Sequence, residues 1–583
     1  MNTNIKVLSL FLSVIMLLSF LFSCSGQLEE NDGYSESASV AETSLATDEF
    51  DDKFPILKDG KYIVKAVMPD SPTEAEKSVY TKLRSALNTK TKVKIDSNTD
   101  YLKTGEFHNN DEYVILVGKT NYKESEWIYG KTKADTYGMQ IVGKNKLLIY
   151  FSTESEGFQL VENLISAINS DKSGYFWING GFSVTKTTKF KLETIPAYSS
   201  STSSYDCGDD TTMLLAKNTN ISSYEKYCNE LIANGYTEYS KRDNVNGNCY
   251  RIYTKGTMAL NVYFTKSAST VRIISGPLDD IPTNEVDKTP EKNKDVSVTM
   301  LSQGENTDCG LGLIFHLANG KFIIFDGGFS LSDKLYSKLV EIAPKGSKII
   351  ITAWFISHPH NDHQEAVTNF IKRHASDVEV ENVFYNYAPS SFYTNASNET
   401  NTAGIETVAD GLEGLLDSNF DRTTKIIKPH TGQIYNFGSA SAEILYTVED
   451  VLEKKLDYVN TSSLIVRFKI GDQTILALAD ATHTISTILQ NTYGTYLKSD
   501  IVQLAHHGTY PGHASLYTKI NASVLLWPSN TENAKKQYSD SAVKEALAKA
   551  KDVYLAKNVD VTLKLPYSVK NNKNDFLKSI GKK

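Results

Sequence analysis

The sequence has little of what several classes of protein need. Its 583 residues hold five cysteines, and no two of them form a Cys-x-x-Cys pair, which excludes a zinc ribbon. Four of the five, Cys207, Cys228, Cys249 and Cys309, lie in the interior of the chain. In an oxidising compartment two of the three between 207 and 249 could pair, leaving an odd one out, and buried free thiols fit equally well. Basic charge is not in excess: the formal net charge is -8, so the bulk of the protein is not drawn to nucleic acid or to anionic lipid. Apolar runs of membrane-spanning length are missing beyond the first 24 residues, so the chain is not expected to be a DNA channel itself. At 40% apolar residues it can nevertheless bury several cores, and at about 150 residues per domain its length predicts three or four domains.

The N-terminus carries Lys6, the apolar run VLSLFLSVIMLLSFLFS and then Cys24, the order of an export signal. The run is close to membrane-span length, so an uncleaved anchor helix is the competing expectation. The sequence LFSC before Ser25 resembles the lipobox of bacterial lipoproteins, with Phe22 an imperfect fit. That resemblance implies a signal over 1–24, lipidation at Cys24 and attachment to the outer face of the cytoplasmic membrane. Residues 25–53 are polar and acidic, with no Lys or Arg before Lys53. Such a segment cannot bury enough apolar surface to order itself and predicts a tether.

Residues 54–195 alternate strand-like and helix-like patterns, as in KYIVKAVM followed by PTEAEKSVYTKLRSALNTKT, and predict an α+β domain. The run from YVILVGKT to EGFQLVENLI resembles the small α+β domain that precedes the barrel in several glycoside hydrolases, which implies an accessory role. After the serine-rich YSSSTSSYD, residues 204–282 predict a second small α+β domain with one helix, SSYEKYCNELIANGY, and no assignable chemistry. The polar stretch 282–295 predicts a linker, and 296–583 is the largest domain.

Nine of the 11 histidines fall between 358 and 513, and three of them, with an aspartate, occupy the heptapeptide Ser357–His363, SHPHNDH. Alternate residues of an extended segment point the same way. His358 and His360 can therefore share one cation, while Asp362 and His363, at the turn into QEAVTNFIKRH, can reach a second. Imidazole and carboxylate donors in this mixture suit a divalent metal that keeps a position open for water.

On these residues the C-terminal part resembles the metallo-β-lactamase superfamily. GLIFHLANGKFIIFDGGF is similar to its opening strands, with Asp326 as the buried aspartate that orients ligands. NTSSLIVRFKIGDQTILALADA ends at Asp480, where a metal-bridging carboxylate belongs, and SDIVQLAHHGT supplies His506 and His507. Asn460, Ser462 and Ser463 together with ALADA and HHGT resemble the branch typified by the hydrolase domain of DNA-uptake competence channels, ComEC-like, although Ala479 stands where that branch has glycine and HxGG is absent after His363.

The resemblance implies an αββα sandwich over 296–583 and one or two zinc ions, or manganese. The implied metal ligands are His358, His360, Asp362, His363, Asp480 and His506. Asp362 and His507 would be catalytic, with Asp326, Asn460 and Ser462 behind the ligands. A further histidine ligand is missing; His430 is the one well-placed alternative, and its turn-like setting predicts a surface residue. His374 and His513 are read as ordinary polar residues. The implied activity is hydrolysis of a phosphodiester or phosphoester, with nucleic acid or a phosphate-bearing wall polymer as substrate and no stable protein partner. A lactone or β-lactam hydrolase and a non-catalytic surface-binding scaffold are the alternatives.

Overall fold

The computed structural model describes residues 53–582 apart from 105, 133–135, 152–153, 188–194, 200–201, 209–210, 257, 284–286, 305, 307–308, 330–331, 390–391, 394–404, 421–423, 454–455 and 457. The export signal, Cys24 and the tether up to residue 52 lie outside the described residues. Among the described residues no helix is long and apolar enough to cross a membrane.

The first region carries a six-stranded sheet in which Lys65–Met68, Val114–Val117 and Lys146–Tyr150 run parallel. The helix Glu74–Thr91 starts where Thr73 and Glu76 exchange side-chain and backbone hydrogen bonds, which satisfies two otherwise orphaned donors. It buries Val79, Leu83 and Leu87 with Leu160, Val161 and Leu164 of the helix Glu154–Ala167 against Ile115, Val117, Leu147 and Ile149.

The second region is an antiparallel six-stranded sheet between Thr202 and Pro277 with the helix Ile221–Ala233, which is capped by Asn220. Every residue of its strand Met258–Thr265 is buried, more than a sheet with one solvated face would show. The cause is a polar seam with the C-terminal region. Arg242 reaches Glu443 at 2.5 Å, Asn248 donates to the Thr492 carbonyl at 2.8 Å, Tyr250 meets the Tyr493 hydroxyl at 3.1 Å and Arg272 donates to the Asp450 carbonyl at 2.9 Å. The loop holding Gly432 lies so close to the Tyr250 ring that a Cβ would overlap it. The cysteines of this region, Cys207, Cys228 and Cys249, are free buried thiols.

The C-terminal region is the four-layered αββα sandwich. Its first sheet contains β1 (Ser297–Met300), β2 (Gly312–His316), β3 (Phe322–Asp326), β4 (Ile349–Phe355), β5 (Asn382–Phe384) and β6 (Lys425–Ile427) in that order, with the strand Val561–Lys564 on the outer side of β1 and Val378–Val380 also paired with β4. The pairs of β1 with Val561–Lys564, β1–β2 and β2–β3 are antiparallel and the rest parallel. The second sheet contains β7 (Ile434–Phe437), β8 (Ala440–Tyr446), β9 (Ile465–Ile470), β10 (Gln473–Ala477), β11 (Ile501–Gln503), β12 (Val524–Trp527) and β13 (Asp552–Leu555), antiparallel up to β10 and parallel beyond it.

The two sheets meet over Phe315, Phe325, Phe355, Val466, Phe468, Ile475 and Leu526, with the Phe468 ring 4.6 Å from that of Phe315. Alternation along each strand sends Ile324 and Trp354 outward onto α1 (Ser332–Ile342) and α2 (Asn361–His374), and Leu476 and Val502 outward onto α4 (His483–Tyr493); α3 is Ile405–Asn419. Strands buried on both faces read as nearly continuous apolar runs, as FIIFD and TILA do.

Candidate metal centre

Both sheets place the C-terminal ends of parallel strands at one edge, the position where open α/β sheets leave a crevice. From β3 comes Asp326, from the end of β4 the loop Ser357–His363, from β10 Asp480 and from β11 the pair His506 and His507. Main-chain hydrogen bonds tie these loops together: Leu464 N–H donates to the Ser357 carbonyl at 2.9 Å, Gly327 N–H to that of His363 at 2.9 Å and His506 N–H to that of Ala479 at 2.9 Å. Ala479, where glycine was expected, has φ of 45°, a left-handed backbone that glycine adopts at no steric cost.

Two overlapping groups of donors result. Asp362, His363, Asp480 and His507 each offer an atom within 4.8 Å of the others', and so do His358, His360 and Asp480. Asp480 belongs to both. His363 Nδ1 lies 2.7 Å from Asp326 Oδ2, which leaves Nε2 turned to Asp480 Oδ1 at 3.1 Å. Asp326 Oδ1 accepts from the Ser357 N–H at 2.7 Å and Oδ2 from its hydroxyl at 2.8 Å, and that hydroxyl also lies 3.0 Å from His358 Nδ1. His507 Nδ1 lies 3.0 Å from the Pro528 carbonyl, and Nε2 faces Asp362 Oδ2 at 3.0 Å and Asp480 Oδ1 at 3.4 Å.

The electrostatics of the groups oppose one another. Burial pushes Asp480 up, yet His363, His507 and His506 outweigh it and hold the carboxyl well below its ordinary range. Burial also pushes Asp362 up, and His363 and His507 bring it down. His358 is driven well below the usual imidazole value by burial, then by His363 and His360, so its ring stays neutral and keeps a lone pair. Among the described residues, His363 Nε2, His507 Nε2 and Asp480 Oδ1 are buried and make no well-aligned hydrogen bond beyond these close contacts with one another and with Asp362. Buried polar atoms are ordinarily paired, and three such atoms converging with Asp362 are the donor set that a divalent cation satisfies.

The six expected ligands meet at this edge with one difference. His507, expected as a catalytic group, is inside the four-residue group, while the expected ligand His506 is in neither group and is 30% exposed with Nε2 3.0 Å from the Asn460 amide. Two consecutive left-handed residues, φ 48° and 53°, break the alternation on which the sequence reading placed the first histidine inward. Asn460 Nδ2 donates to Asp480 Oδ2 at 3.2 Å, as expected of a residue behind the ligands. Ser462 instead donates to the Val459 carbonyl at 2.8 Å; the hydroxyl that backs the ligands is Ser357, which a hydroxyl adjoining the first histidine could have signalled.

His430 is a correction. It is fully buried, not a surface residue, and its Nδ1 lies 2.9 Å from Glu449 Oε2. The seam with the second region covers its turn, which the sequence of the turn alone does not reveal. It belongs to neither donor group. His374 lies 3.2 Å from Asp333 and His513 3.1 Å from the Thr487 hydroxyl, also outside both groups. A cavity of about 480 Å³ opens along the same seam, lined by Tyr250, Arg272, Asp450, His483, Tyr493 and His513 among others, and no residue of the two donor groups lines it.

No family model matches the sequence, and no curated protein matches it. Among solved structures the chain is similar to the metallo-β-lactamase fold protein YhfI from Bacillus subtilis, at 16% identity over 46% of this chain and 99% of that one, TM-score 0.29. It is similar to CmlA, a diiron β-hydroxylase from Streptomyces venezuelae, at 15% identity over 47% of this chain and 55% of that one, TM-score 0.30. It is also similar to human tRNase Z, short form, at 12% identity over 46% of this chain and 99% of that one, TM-score 0.27.

Proposed function

We propose that the chain is a metal-dependent hydrolase of the metallo-β-lactamase superfamily, ComEC-like in its motifs, that acts on phosphodiester or phosphoester bonds outside the cytoplasm. The observation that carries the metal reading is the bridging position of Asp480 between two histidine groups at one edge of the sandwich. Zinc suits the donors, and manganese is the other choice. A divalent cation held by Asp362, His363, Asp480 and His507 would supply an acidified water and would draw charge from a phosphoryl oxygen. The protein's part is to hold the donors. Asp326 and Ser357 fix the His363 ring, the Pro528 carbonyl fixes His507, and Asp362, half-buried beside them, would orient the attacking water or deprotonate it.

The phosphoester part rests on NTSS, ALADA and HHGT, and the negative net charge makes small esters or wall polymers as apt as DNA. Metal-reconstituted protein should be assayed on bis-p-nitrophenyl phosphate, single-stranded DNA, glycerol-phosphate and choline-phosphate esters, a β-lactam and a lactone. Phosphoester cleavage that is lost with chelator and in Asp480→Ala supports the reading. Lactone or β-lactam turnover without phosphoester cleavage replaces the substrate, and metal-free, inert protein returns the fold to a binding scaffold.

Attachment through Cys24 completes the reading. Cys24→Ala should abolish lipid labelling and release the protein, whereas an anchored, uncleaved product identifies the N-terminal run as a membrane helix.

A further inference from the structure

The seam between the second and C-terminal regions does not close along its whole length. It leaves the cavity of about 480 Å³, lined on one side by α4 and on the other by Tyr250, Thr265 and Arg272 of the antiparallel sheet, with Leu445, Asp450 and Val451 completing it. Small-molecule sites have this size and favour such junctions. Thr484, Thr487, Ile488 and Asn491 recur at helical spacing and share the face of α4 that lines the cavity, and only Ile488 among them is apolar. From His483 to Thr492 that wall runs about 14 Å at 1.5 Å per residue. Ile485 and Leu489, on the other face, anchor the helix in the core. The width is fixed, because Asn246 and Asn248 both donate to the Thr492 carbonyl at 2.8 Å and Arg272 donates to that of Asp450 at 2.9 Å.

The charges about the cavity cancel in pairs. Arg272 Nη1 lies 3.9 Å from Asp450 Oδ1, and Glu453 pairs with Lys217. The Asp450 carboxylate also accepts the Thr431 hydroxyl at 2.7 Å and that of Tyr263 at 3.0 Å. Among the described lining residues this leaves neither a surplus cation for a phosphate nor a surplus carboxylate for a metal. What remains are groups that both donate and accept: the hydroxyls of Thr484 and Thr487, the Asn491 amide and the His513 ring. His513 Nε2 lies 3.1 Å from Thr487 Oγ1, and its ring is 4.6 Å from that of His483. Burial, then His483, holds His513 below the ordinary imidazole value, so it is neutral at pH 7. One donor is left over. Arg272 Nε, on a side chain only 7% exposed, is buried without a hydrogen-bond partner among the described residues. Buried donors ordinarily have acceptors, and an uncharged acceptor supplies one without upsetting the balance of charge.

We propose that the cavity is a binding site for a neutral polyhydroxylated molecule, a disaccharide or a short polyol. Arg272 donates through Nε to one ligand hydroxyl, Asn491 and Thr487 exchange hydrogen bonds with others, and the C–H faces of the ligand rest on Ile488 and Tyr250. The length of the α4 wall suits a chain of several hydroxylated carbons, and the paired charges give an ion no advantage over a neutral ligand. No donor of the metal centre lines the cavity, so the site is distinct from that centre and the inference does not rest on the metal reading.

The test is calorimetric titration of the full chain with maltose, N,N′-diacetylchitobiose, ribitol and inorganic phosphate, with and without chelator. At least one of the neutral probes should bind saturably, with the same affinity in chelator. Arg272→Lys keeps the charge but removes the Nε donor and the planar fork, and it should weaken that probe about tenfold, the effect of one hydrogen bond. Asn491→Trp, at an exposed position of α4, fills the cavity and should abolish binding while circular dichroism and the melting temperature stay unchanged. It decides the matter if Arg272→Lys does not fold. Saturable binding of no neutral probe, binding unchanged in Asn491→Trp, or binding lost with chelator would each overturn the site. Phosphate binding without that of any neutral probe would make Arg272 part of an anion site and overturn the ligand class.

Discussion

The carbonyl of His507 accepts the Trp527 indole N–H at 2.8 Å, so the end of the buried strand β12 holds the backbone of the histidine that faces Asp362. Asn533 donates to the same oxygen at 3.1 Å, and Gly508, φ 86°, leaves no room for a Cβ against the indole ring. A left-handed residue persists only where its surroundings over-determine it. Trp527→Phe removes one of the two donors while keeping most of the ring's bulk. It should cost about 1–2 kcal/mol of stability and weaken zinc binding at the Asp362, His363, Asp480 and His507 group by about tenfold. Chemical denaturation and zinc titration read the two effects, and unchanged affinity would assign the indole to packing alone.

Asp326 should show a cleaner separation. It is fully buried at φ 57°, and burial raises its carboxyl despite His363 and Ser357. Asparagine tolerates this backbone and keeps the shape, but it replaces the carboxylate beside His363 by an amide. Asp326→Asn should retain the fold and bind zinc about 10- to 100-fold more weakly. Equal affinity in a titration would show that the carboxylate is not what orients the ring.

Much of this was written locally in the sequence. SHPHNDH follows an apolar strand and opens a helix, so the spacing alone pairs His358 with His360 and sets Asp362 and His363 at the start of the helix. The alternation of VRFKI fixes which of its residues face the inter-sheet core, whereas the continuous apolar run FIIFD does not. Three features were not legible because no local pattern encodes them. The reversal of His506 and His507 depends on two left-handed residues, and the His507 carbonyl is held by Trp527 at the end of β12 and by Asn533 in the short helix Thr531–Gln537 that follows. The burial of His430 depends on a sheet formed by residues 202–277. The linker-like 282–295 concealed that this second region is fastened to the third by buried charges.

Glu443 is where that fastening should be measurable. Its carboxylate lies 2.5 Å from both Arg242 and Arg467 and accepts the Tyr496 hydroxyl at 2.9 Å. Burial raises it, but the two guanidinium groups outweigh burial and hold it below its ordinary 4.5. With a folded value below the unfolded one, its contribution is fully present above pH about 4.5 and is lost as pH falls through the folded value. Glu443→Gln leaves two half-buried guanidinium groups short of a counter-charge and should cost about 3 kcal/mol at pH 7. The gap from the unaltered protein should narrow as pH falls below about 4.5. A gap independent of pH in urea melts would place the cost in packing.

Gly432→Ala probes the same seam without touching a charge. The glycine has φ of 92° and its missing Cβ would overlap the Tyr250 ring, so alanine meets both an unfavourable backbone and a clash. The ring is itself pinned by its hydroxyl's contact with Tyr493 and cannot retreat cheaply. The expected loss is about 2–4 kcal/mol. Tyr250→Leu in the same chain should recover part of it by shortening the opposing side chain, because two residues in contact do not add independently. Metal titration should be unchanged in both, since no residue of the donor groups contacts Tyr250 in either hydrogen bonds or ring stacking among the described residues. If Tyr250→Leu recovers nothing, the cost of alanine at 432 lies in its backbone and the close approach to the ring is incidental.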